Sequence, residues 1–195
     1  MSKQMNKNYW EQRYQNKETG WDAGSITSPI KEYIDQLQNK ELKILIPGCG
    51  NGHEFDYLIQ NGFKNVFVID IAEEPIQHVK SKNPSISSSF FITDDFFNLN
   101  QQFDLIIEQT FFCALSPVLR KKYVEKMNAL LNENGKLVGL LFDFPLTEEG
   151  PPFGGSKSEY IALYEPYFSI KTLEKAYNSI KPRENKELFL IAEKK

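Results

Sequence analysis

The sequence predicts an α/β fold in which a mostly parallel sheet is covered by helices on both faces. Strand and helix patterns alternate through most of the chain, which is typical of parallel sheets. The first predicted strand contains three consecutive apolar residues, 44–46, as expected for a strand that is buried on both faces. The 195 residues suffice for one core, and we therefore predict a single domain covering residues 1–195.

The elements are placed in order by apolar periodicity and by residues that start or end helices. Serine-proline pairs at 28–29 and 116–117 mark two helix starts, and glycines at 62 and 135 mark two ends. The predicted helices cover residues 28–37, 53–61, 73–81, 116–134 and 158–165. The predicted strands cover residues 43–47, 65–69, 89–93, 103–107, 136–142, 168–176 and 187–193, the last two as a hairpin.

A stretch rich in proline and glycine, residues 143–155, interrupts this alternation. It holds three prolines and three glycines, so we predict a loop that proline stiffens and glycine hinges. Loops of this length in compact domains are usually either functional or disordered. The stretch is therefore a candidate part of a binding site.

The turn after the first strand, residues 48–52, contains the motif Gly-x-Gly-x-Gly. A dinucleotide fingerprint would need a third glycine where His53 stands, and the Gly-Lys-Ser/Thr ending of a P-loop is absent. The second strand ends on Asp70, twenty positions after Gly50, where a carboxylate can accept hydrogen bonds from both hydroxyls of a ribose. This combination favours S-adenosylmethionine over NAD as the ligand. The glycines alone are also consistent with a simple tight turn.

The third predicted strand ends in two acids, Asp94 and Asp95, followed by Phe96. One interpretation is that an acid accepts a hydrogen bond from the amino group of an adenine while Phe96 lies against the ring. The other is a turn at the end of the strand with solvated carboxylates. No histidine or further acid follows at ligand spacing, and we expect no metal site in the chain.

Residues 9–27 combine four aromatic side chains with polar neighbours and show no sustained period. Both tryptophans of the chain, Trp10 and Trp21, lie in this segment. We predict a lid whose ring faces cover a cationic ligand, because a sulfonium is attracted to such faces by roughly 0.5–2 kcal/mol. The alternative is that these side chains only complete the core.

Composition and charge argue against several functional classes. A net charge of −3 gives no basic face for nucleic acid, and no stretch reaches the roughly 18 apolar residues of a membrane span. The first residues lack the apolar core of a secretory signal, so we expect a cytoplasmic protein. Cys49 and Cys113 are too few for a disulfide framework or a metal set. The two histidines, His53 and His78, offer no convincing general base.

Several stretches together resemble the class I S-adenosylmethionine-dependent methyltransferases of the thiopurine-methyltransferase-like family, and within it the thiol/halide methyltransferases. The similarity covers nearly the whole chain. The matching stretches are Trp10 with Trp21-Asp22-Ala23-Gly24, Pro47-Gly48-Cys49-Gly50-Asn51-Gly52, Val68-Ile69-Asp70-Ile71, Asp95-Phe96-Phe97, Phe111-Phe112-Cys113-Ala114-Leu115 and Glu149-Gly150-Pro151-Pro152-Phe153. The resemblance implies a Rossmann-like, seven-stranded, mostly parallel sheet of order 3-2-1-4-5-7-6 with an antiparallel last strand.

The resemblance also implies S-adenosylmethionine as the methyl donor, S-adenosylhomocysteine as its product, and an aromatic N-terminal segment that caps the donor. Carried over by position, Gly48 and Gly50 approach the methionine part and Asp70 holds the ribose. Asp95 and the backbone of Phe96 read the adenine. The complete implied cofactor set is Trp10, Trp21, Gly48, Gly50, Asp70, Ile71, Asp95, Phe96 and Glu108.

For the acceptor, the resemblance implies a catalytic and substrate-binding Tyr160, with Phe111 and Phe112 walling the pocket. The thiopurine enzymes carry an aspartate-arginine pair where this chain has Glu108 and Gln109. Loss of the arginine favours a small soft nucleophile, such as a halide, hydrosulfide or small thiol, which needs no general base. An aromatic or thiopurine thiol acceptor and a non-catalytic cofactor-binding module are the alternatives. We expect a monomer that binds a small molecule, with no nucleic acid or membrane partner.

Overall fold

The computed structural model describes residues 5–195 and contains one seven-stranded sheet. The strands are β1 (Lys43–Pro47), β2 (Asn65–Asp70), β3 (Phe91–Thr93), β4 (Phe103–Gln109), β5 (Leu131–Phe142), β6 (Phe168–Lys175) and β7 (Glu187–Lys194). Their order across the sheet is β3-β2-β1-β4-β5-β7-β6. Neighbours among the first five strands are parallel, whereas β7 runs antiparallel to both β5 and β6. The implied strand order and the predicted terminal hairpin are confirmed.

The consecutive apolar residues of β1 divide between two hydrophobic cores, one on each face of the sheet. Leu45 belongs to the core that also contains Ile106 and Tyr123. Ile44 and Ile46 belong to the other core. Because successive side chains of a strand point to opposite faces, a strand at the centre of the sheet needs apolar residues at every position.

Within the described part of the chain, six α-helices accompany the sheet and cover both faces. They are α1 (Lys7–Gln15), α2 (Ser28–Asp35), α3 (His53–Gln60), α4 (Glu73–Lys82), α5 (Arg120–Ala129) and α6 (Lys157–Tyr164). Met127 of α5 and Tyr164 of α6 are buried in the core with Leu45, whereas Ile34, Phe55 and Val79 place α2, α3 and α4 on the opposite face. Within residues 5–195, no helix combines the length and apolar character needed to cross a bilayer.

The helix predicted over residues 116–134 is shorter than its apolar pattern indicates. Residues 117–119 form a 3₁₀ turn, and α5 ends at Ala129. The carbonyl of Leu130 accepts a hydrogen bond from Phe103 N at 2.8 Å, and Leu131 pairs with Phe103 in the sheet. Pairing with β4 therefore takes the backbone out of the helix before the glycine that was expected to end it.

Helix α1 lies in the aromatic N-terminal segment, where the sequence showed no period. None of its residues is buried, although Asn6 caps it by accepting a hydrogen bond from Tyr9 N. It is docked instead by Glu11, whose Oε1 accepts a hydrogen bond from Glu73 N at the start of α4, at 2.8 Å. A helix without a buried face lacks the apolar stripe on which sequence-based recognition depends, which is why it was missed.

Candidate active site

A cavity of about 430 Å³ opens at the carboxyl ends of the parallel strands, the usual place for ligands in open α/β sheets. We call one part the β2 side; it is lined by Gly48, Asp70 and Ile71 together with aromatic residues of the N-terminal segment. The other part, the β5 side, is lined by residues that follow β4 and β5 and by residues before β7, including Phe111 and Arg183. The two sides belong to one cavity and meet where Phe111 packs against Gly48 and where Arg183 donates to the carbonyl of Trp21.

The three glycines after β1 all have positive φ but serve different purposes. A Cβ on Gly48 would lie 2.6 Å from Cδ2 of Phe111, and one on Gly52 would lie 2.5 Å from Cγ2 of Val79. A Cβ on Gly50 would meet its nearest atoms only at 3.9 Å. Gly48 and Gly52 thus allow close packing, whereas a methyl group on Gly50 would fit beside Trp21 and Tyr14. Of the three glycines, Gly48 lines the cavity.

Asp70 ends β2 and presents a buried carboxylate to the cavity. Its Oδ1 accepts a hydrogen bond from Ala72 N at 2.9 Å, which fixes the side chain and leaves acceptor capacity on the other oxygen. Burial raises the pKa of Asp70 to about 7, against the effect of backbone amides that include Gly50. The neighbouring Ile71 also lines the cavity. The geometry supports the predicted ribose contact, which stays a prediction.

The N-terminal aromatic segment covers the cavity beside the glycine turn. Trp10, Tyr14 and Trp21 all line it, and the Trp21 ring meets the other two edge to face, with centroids 5.7 and 5.6 Å away. Trp10 and Trp21 thus line the cavity, and their role as a lid over the donor stays a prediction. Tyr14 was not among the predicted cofactor residues, although its spacing of four from Trp10 places both on one face of a helix.

Asp22 ties this segment to the glycine turn. Its carboxylate accepts hydrogen bonds from Asn51 Nδ2 at 2.5 Å, His53 Nε2 at 2.7 Å and Gly24 N at 3.0 Å. Partial burial raises the pKa of Asp22, but these hydrogen bonds outweigh it and the net pKa is lowered. The ionised carboxylate of Asp22 therefore holds the N-terminal aromatic segment against the loop that follows β1.

Asp95 and Phe96 lie beyond β3, outside the lining of this cavity. Asp95 Oδ1 accepts a hydrogen bond from Phe97 N at 2.9 Å. The Phe96 ring is buried and packs against the ring of Phe111, with centroids 5.2 Å apart. Phe96 therefore supports the cavity wall through Phe111, and the contact of Asp95 and Phe96 with adenine remains a prediction.

Glu108, a predicted cofactor residue, lies beneath the cavity and does not line it. Its side chain is completely buried and accepts hydrogen bonds from Phe111 N, Phe112 N and Tyr123 Oη at 2.8, 3.0 and 2.6 Å. Burial raises the pKa of Glu108 to about 7, while these three donors lower it. In this arrangement the carboxylate holds the loop that presents Phe111.

The three predicted acceptor residues occupy two layers. Phe111 lines the cavity, whereas Phe112 and Tyr160 are buried behind the wall. The Tyr160 hydroxyl donates to the carbonyl of Phe142 at 2.6 Å, and its ring meets that of Phe112 edge to face at 5.7 Å. Tyr160 thus supports Phe142, which does line the cavity. Its direct role toward an acceptor remains a prediction.

Arg183 lines the β5 side and was not predicted. It is 9% exposed, and its Nη2 donates to the carbonyl of Trp21 at 2.6 Å. Its Nη1 lies 3.5 Å from Glu187 Oε1 and has no closer hydrogen-bond partner within residues 5–195. In the sequence it is one basic residue in a polar connection, so no local signal identifies it. The fold alone brings it to the cavity.

Comparisons with known proteins agree with this architecture. The sequence profile of the thiopurine S-methyltransferase family matches residues 5–194. The chain is 30% identical over 162 residues to probable thiol methyltransferase 2 of Arabidopsis thaliana, covering 80% of this chain and 71% of the relative. It is 29% identical over 184 residues to thiocyanate methyltransferase 1 of Brassica oleracea, covering 91% and 81%. Thiopurine S-methyltransferase of Nitrosospira multiformis is 26% identical over 193 residues, covering 88% and 86%.

Solved structures share the fold at low sequence identity. The 1,6-didemethyltoxoflavin-N1-methyltransferase of Burkholderia thailandensis, with bound S-adenosylhomocysteine, has a TM-score of 0.78 and 16% identity, covering 96% of this chain and 86% of that chain. Magnesium protoporphyrin IX methyltransferase of Synechocystis, with bound S-adenosylmethionine, has a TM-score of 0.70 and 14% identity, covering 97% and 95%.

The β2 side fits the methyl donor of these enzymes. Gly48 brings the backbone of the turn to the cavity, Asp70 offers a carboxylate, and Trp10, Tyr14 and Trp21 supply ring faces for a sulfonium. S-adenosylmethionine is therefore the donor that these residues would hold. The chain is an S-adenosylmethionine-dependent methyltransferase and belongs to the thiopurine S-methyltransferase family.

Proposed function

We propose that this enzyme methylates a small soft anion, such as thiocyanate, hydrosulfide, a halide or a small thiolate. The observation that carries the proposal is the buried guanidinium of Arg183 on a side of the cavity that is otherwise mainly apolar. Phe111, Leu115 and Phe142 line the same side. A cation among apolar groups attracts an anion while stripping it of water, which makes a soft nucleophile more reactive.

The reaction needs alignment more than proton transfer. S-adenosylmethionine, when bound, supplies a methyl group that its sulfonium already activates. The protein's residues then have to hold the acceptor in line, and orientation of two reactants is worth up to roughly 7–11 kcal/mol. Burial raises the pKa of the Tyr160 hydroxyl and of the Cys113 thiol above their ordinary values. Both groups are protonated at neutral pH and are unsuited to act as bases, which suits an acceptor that is already an anion.

The last residue of β4 also supports a small acceptor. Gln109 stands where the thiopurine enzymes carry an arginine, and its Oε1 accepts a hydrogen bond from Thr27 Oγ1 at 3.0 Å. Its side chain is therefore directed to the start of α2. The names of two relatives, a probable thiol methyltransferase and a thiocyanate methyltransferase, are consistent with acceptors of this class.

The roles of the two layers around the site form part of the proposal. The aromatic segment, residues 9–27, acts as a lid over the donor, held by Asp22 at the glycine turn and by Arg183 at the Trp21 carbonyl. Tyr160 acts from behind the wall by fixing Phe142. Asp95 and Phe96 contact the adenine at the edge of the sheet.

Transfer of a labelled methyl group tests the proposal. The purified protein is given labelled S-adenosylmethionine with iodide, bromide, hydrosulfide, thiocyanate or thiophenol in separate reactions. We expect volatile labelled products with the small anions and the largest kcat/KM for a sulfur anion. A clear preference for thiophenol would instead support an aromatic thiol acceptor. Tight cofactor binding with no transfer to any of the five would indicate a non-catalytic module and would contradict the proposal.

A further inference from the structure

Arg120 is the most deeply buried cation outside the residues that line the cavity, among those that the structure describes. It begins α5 and is 4% exposed, which is unusual for a guanidinium unless it is well paired. A buried charge is tolerated only when hydrogen bonds replace the water that it has lost. Its partners therefore show what this residue is for.

These partners hold the proline-rich loop. Arg120 Nη2 donates to the carbonyl of Gly154 at 2.6 Å, and Nη1 pairs with Glu159 Oε1 of α6 at 2.5 Å. The planar guanidinium can reach both acceptors at once, which a lysine ammonium cannot reproduce. The end of the loop is thereby fixed between α5 and α6.

The same guanidinium contacts the other wall of the β5 side. Its carbon lies 4.9 Å from the ring centre of Phe112, directly next to the cavity-lining Phe111. The loop itself contributes Pro151 and Pro152 to the cavity. Arg120 therefore contacts two walls of the β5 side, although it does not line the cavity itself.

A second hydrogen bond connects these two walls directly. Phe153 N donates to the carbonyl of Cys113 at 2.8 Å, which attaches the residue after the proline pair to the segment after β4. Arg120 attaches the next residue, Gly154. Both attachments directly follow the proline pair and together hold Pro151 and Pro152 against the cavity, which opposes an outward movement that would admit a larger acceptor.

We propose that Arg120 is a positioning residue that sets the width of the β5 side and thereby selects small acceptors over bulky ones. This inference rests on the proposed function, because it takes the β5 side as the acceptor site. Loosening the loop lets a small anion leave its line of attack, whereas a bulky thiol gains room. The expected signature is a change in acceptor preference with unchanged binding of the cofactor product.

Arg120→Met and Arg120→Lys are compared with Lys121→Met, which changes an exposed cation of the same helix. Thermal unfolding, S-adenosylhomocysteine affinity and kinetics with thiocyanate and thiophenol are measured for each. We expect Arg120→Met to lower kcat/KM for thiocyanate by about tenfold to a hundredfold, mainly through KM. The thiocyanate-to-thiophenol preference should fall by about tenfold, with product affinity within about twofold of wild type. Arg120→Lys should fall between, and Lys121→Met should behave as wild type.

Unchanged preference in folded Arg120 variants, or a parallel loss of product affinity, would overturn the inference. If Arg120→Met does not fold, Glu159→Gln removes only the exposed ion-pair partner and should shift the preference in the same direction by a few fold; a Glu159→Gln enzyme with wild-type preference would then refute it. If the wild type methylates only thiophenol, the proposed function fails. In that case the KM for thiophenol tests the inference about Arg120. A lower KM in the Arg120 variants supports the inference, and an unchanged KM refutes it.

Discussion

The β2 side of the cavity carries a buried carboxylate, Asp70, whereas the β5 side carries a buried guanidinium, Arg183. The charges match their proposed ligands, since the donor is a cation with hydroxyl groups and the acceptor an anion. The two sides also differ in construction. The β2 side is built from the turn after β1, the end of β2 and the aromatic N-terminal segment, while the β5 side gathers segments after β4, after β5 and before β7.

This difference indicates which parts of the enzyme are able to vary. A donor shared by many methyltransferases needs one arrangement of turn and carboxylate. An acceptor site made from separate loops can change its size without disturbing the donor site. If the donor and the acceptor bind on different sides of the cavity, variants on one side should affect that side's ligand far more than the other ligand.

The largest separation is expected for Arg183→Met. Truncating a buried charged donor typically costs 2–5 kcal/mol, so kcat/KM for thiocyanate should fall by about a hundredfold or more. Affinity for S-adenosylhomocysteine should fall only a few fold, through the lost bond to the Trp21 carbonyl. Fluorescence titration is suitable because Trp10 and Trp21 both line the cavity. Lys181→Met, which changes an exposed neighbour, is the control. If Arg183→Met lowered product affinity as much as it lowered kcat/KM for thiocyanate, the assignment of donor and acceptor to different sides would be contradicted.

Glu108→Gln separates stability from cofactor binding. Burial raises the pKa of Glu108 from 4.5 to about 7, so the folded state holds this proton more tightly than the unfolded chain. The free energy of unfolding should therefore fall by about 3 kcal/mol as the pH rises through that window. The variant should lose this pH dependence of the unfolding free energy while keeping product affinity within about twofold of wild type. Urea unfolding at several pH values measures the dependence. The same pH slope in the variant and the wild type would show that Glu108 does not titrate in this range.

Alanine at Gly48 and at Gly50 should have different consequences, although both residues have positive φ. Gly48→Ala must displace the Phe111 ring and should cost roughly 2 kcal/mol of unfolding free energy. Gly50→Ala has space for its methyl group and should cost about 1 kcal/mol. It should also weaken product binding less, because Gly48 and Phe111 line the cavity and Gly50 does not. Paired unfolding and binding measurements decide the matter. A larger loss of affinity in Gly50→Ala would mean that the roles of the two glycines are reversed.

Asp70→Asn tests the β2 side with the smallest expected change. An amide keeps the shape but removes the charge that strengthens hydrogen bonds from ribose hydroxyls, so product affinity should fall about tenfold at pH 8. Because the pKa of Asp70 is raised to about 7, wild-type affinity should fall below that pH as the carboxylate takes up a proton. The affinity of the variant should lack this dependence. The KM for thiocyanate should not change. A change in this KM would contradict the claim that Asp70 acts on the donor and not on the acceptor.

The sequence predicted the sheet well because its signals are local. The apolar run of β1 and the position of Asp70 at the end of β2 are each visible within a few residues. Helix α1 was missed because its docking through Glu11 leaves no apolar stripe.

The β5 side could not be predicted in the same way. Arg183 reaches the cavity only through the pairing of β7 with β5, and its neighbours in sequence carry no pattern. Tyr160 was expected near the acceptor, yet its hydroxyl is used by the carbonyl of Phe142. Whether an aromatic side chain lines a cavity or lies behind its wall depends on packing, which spacing along the chain does not encode.

Equilibrium binding of thiocyanate tests the central claim most directly, because it needs no turnover. Labelled thiocyanate is dialysed against the protein saturated with S-adenosylhomocysteine. An anion site beside Arg183 predicts saturable binding that iodide displaces and that uncharged methyl thiocyanate does not. No saturable binding, or equal displacement by methyl thiocyanate, would contradict the claim that the β5 side is built for an anion.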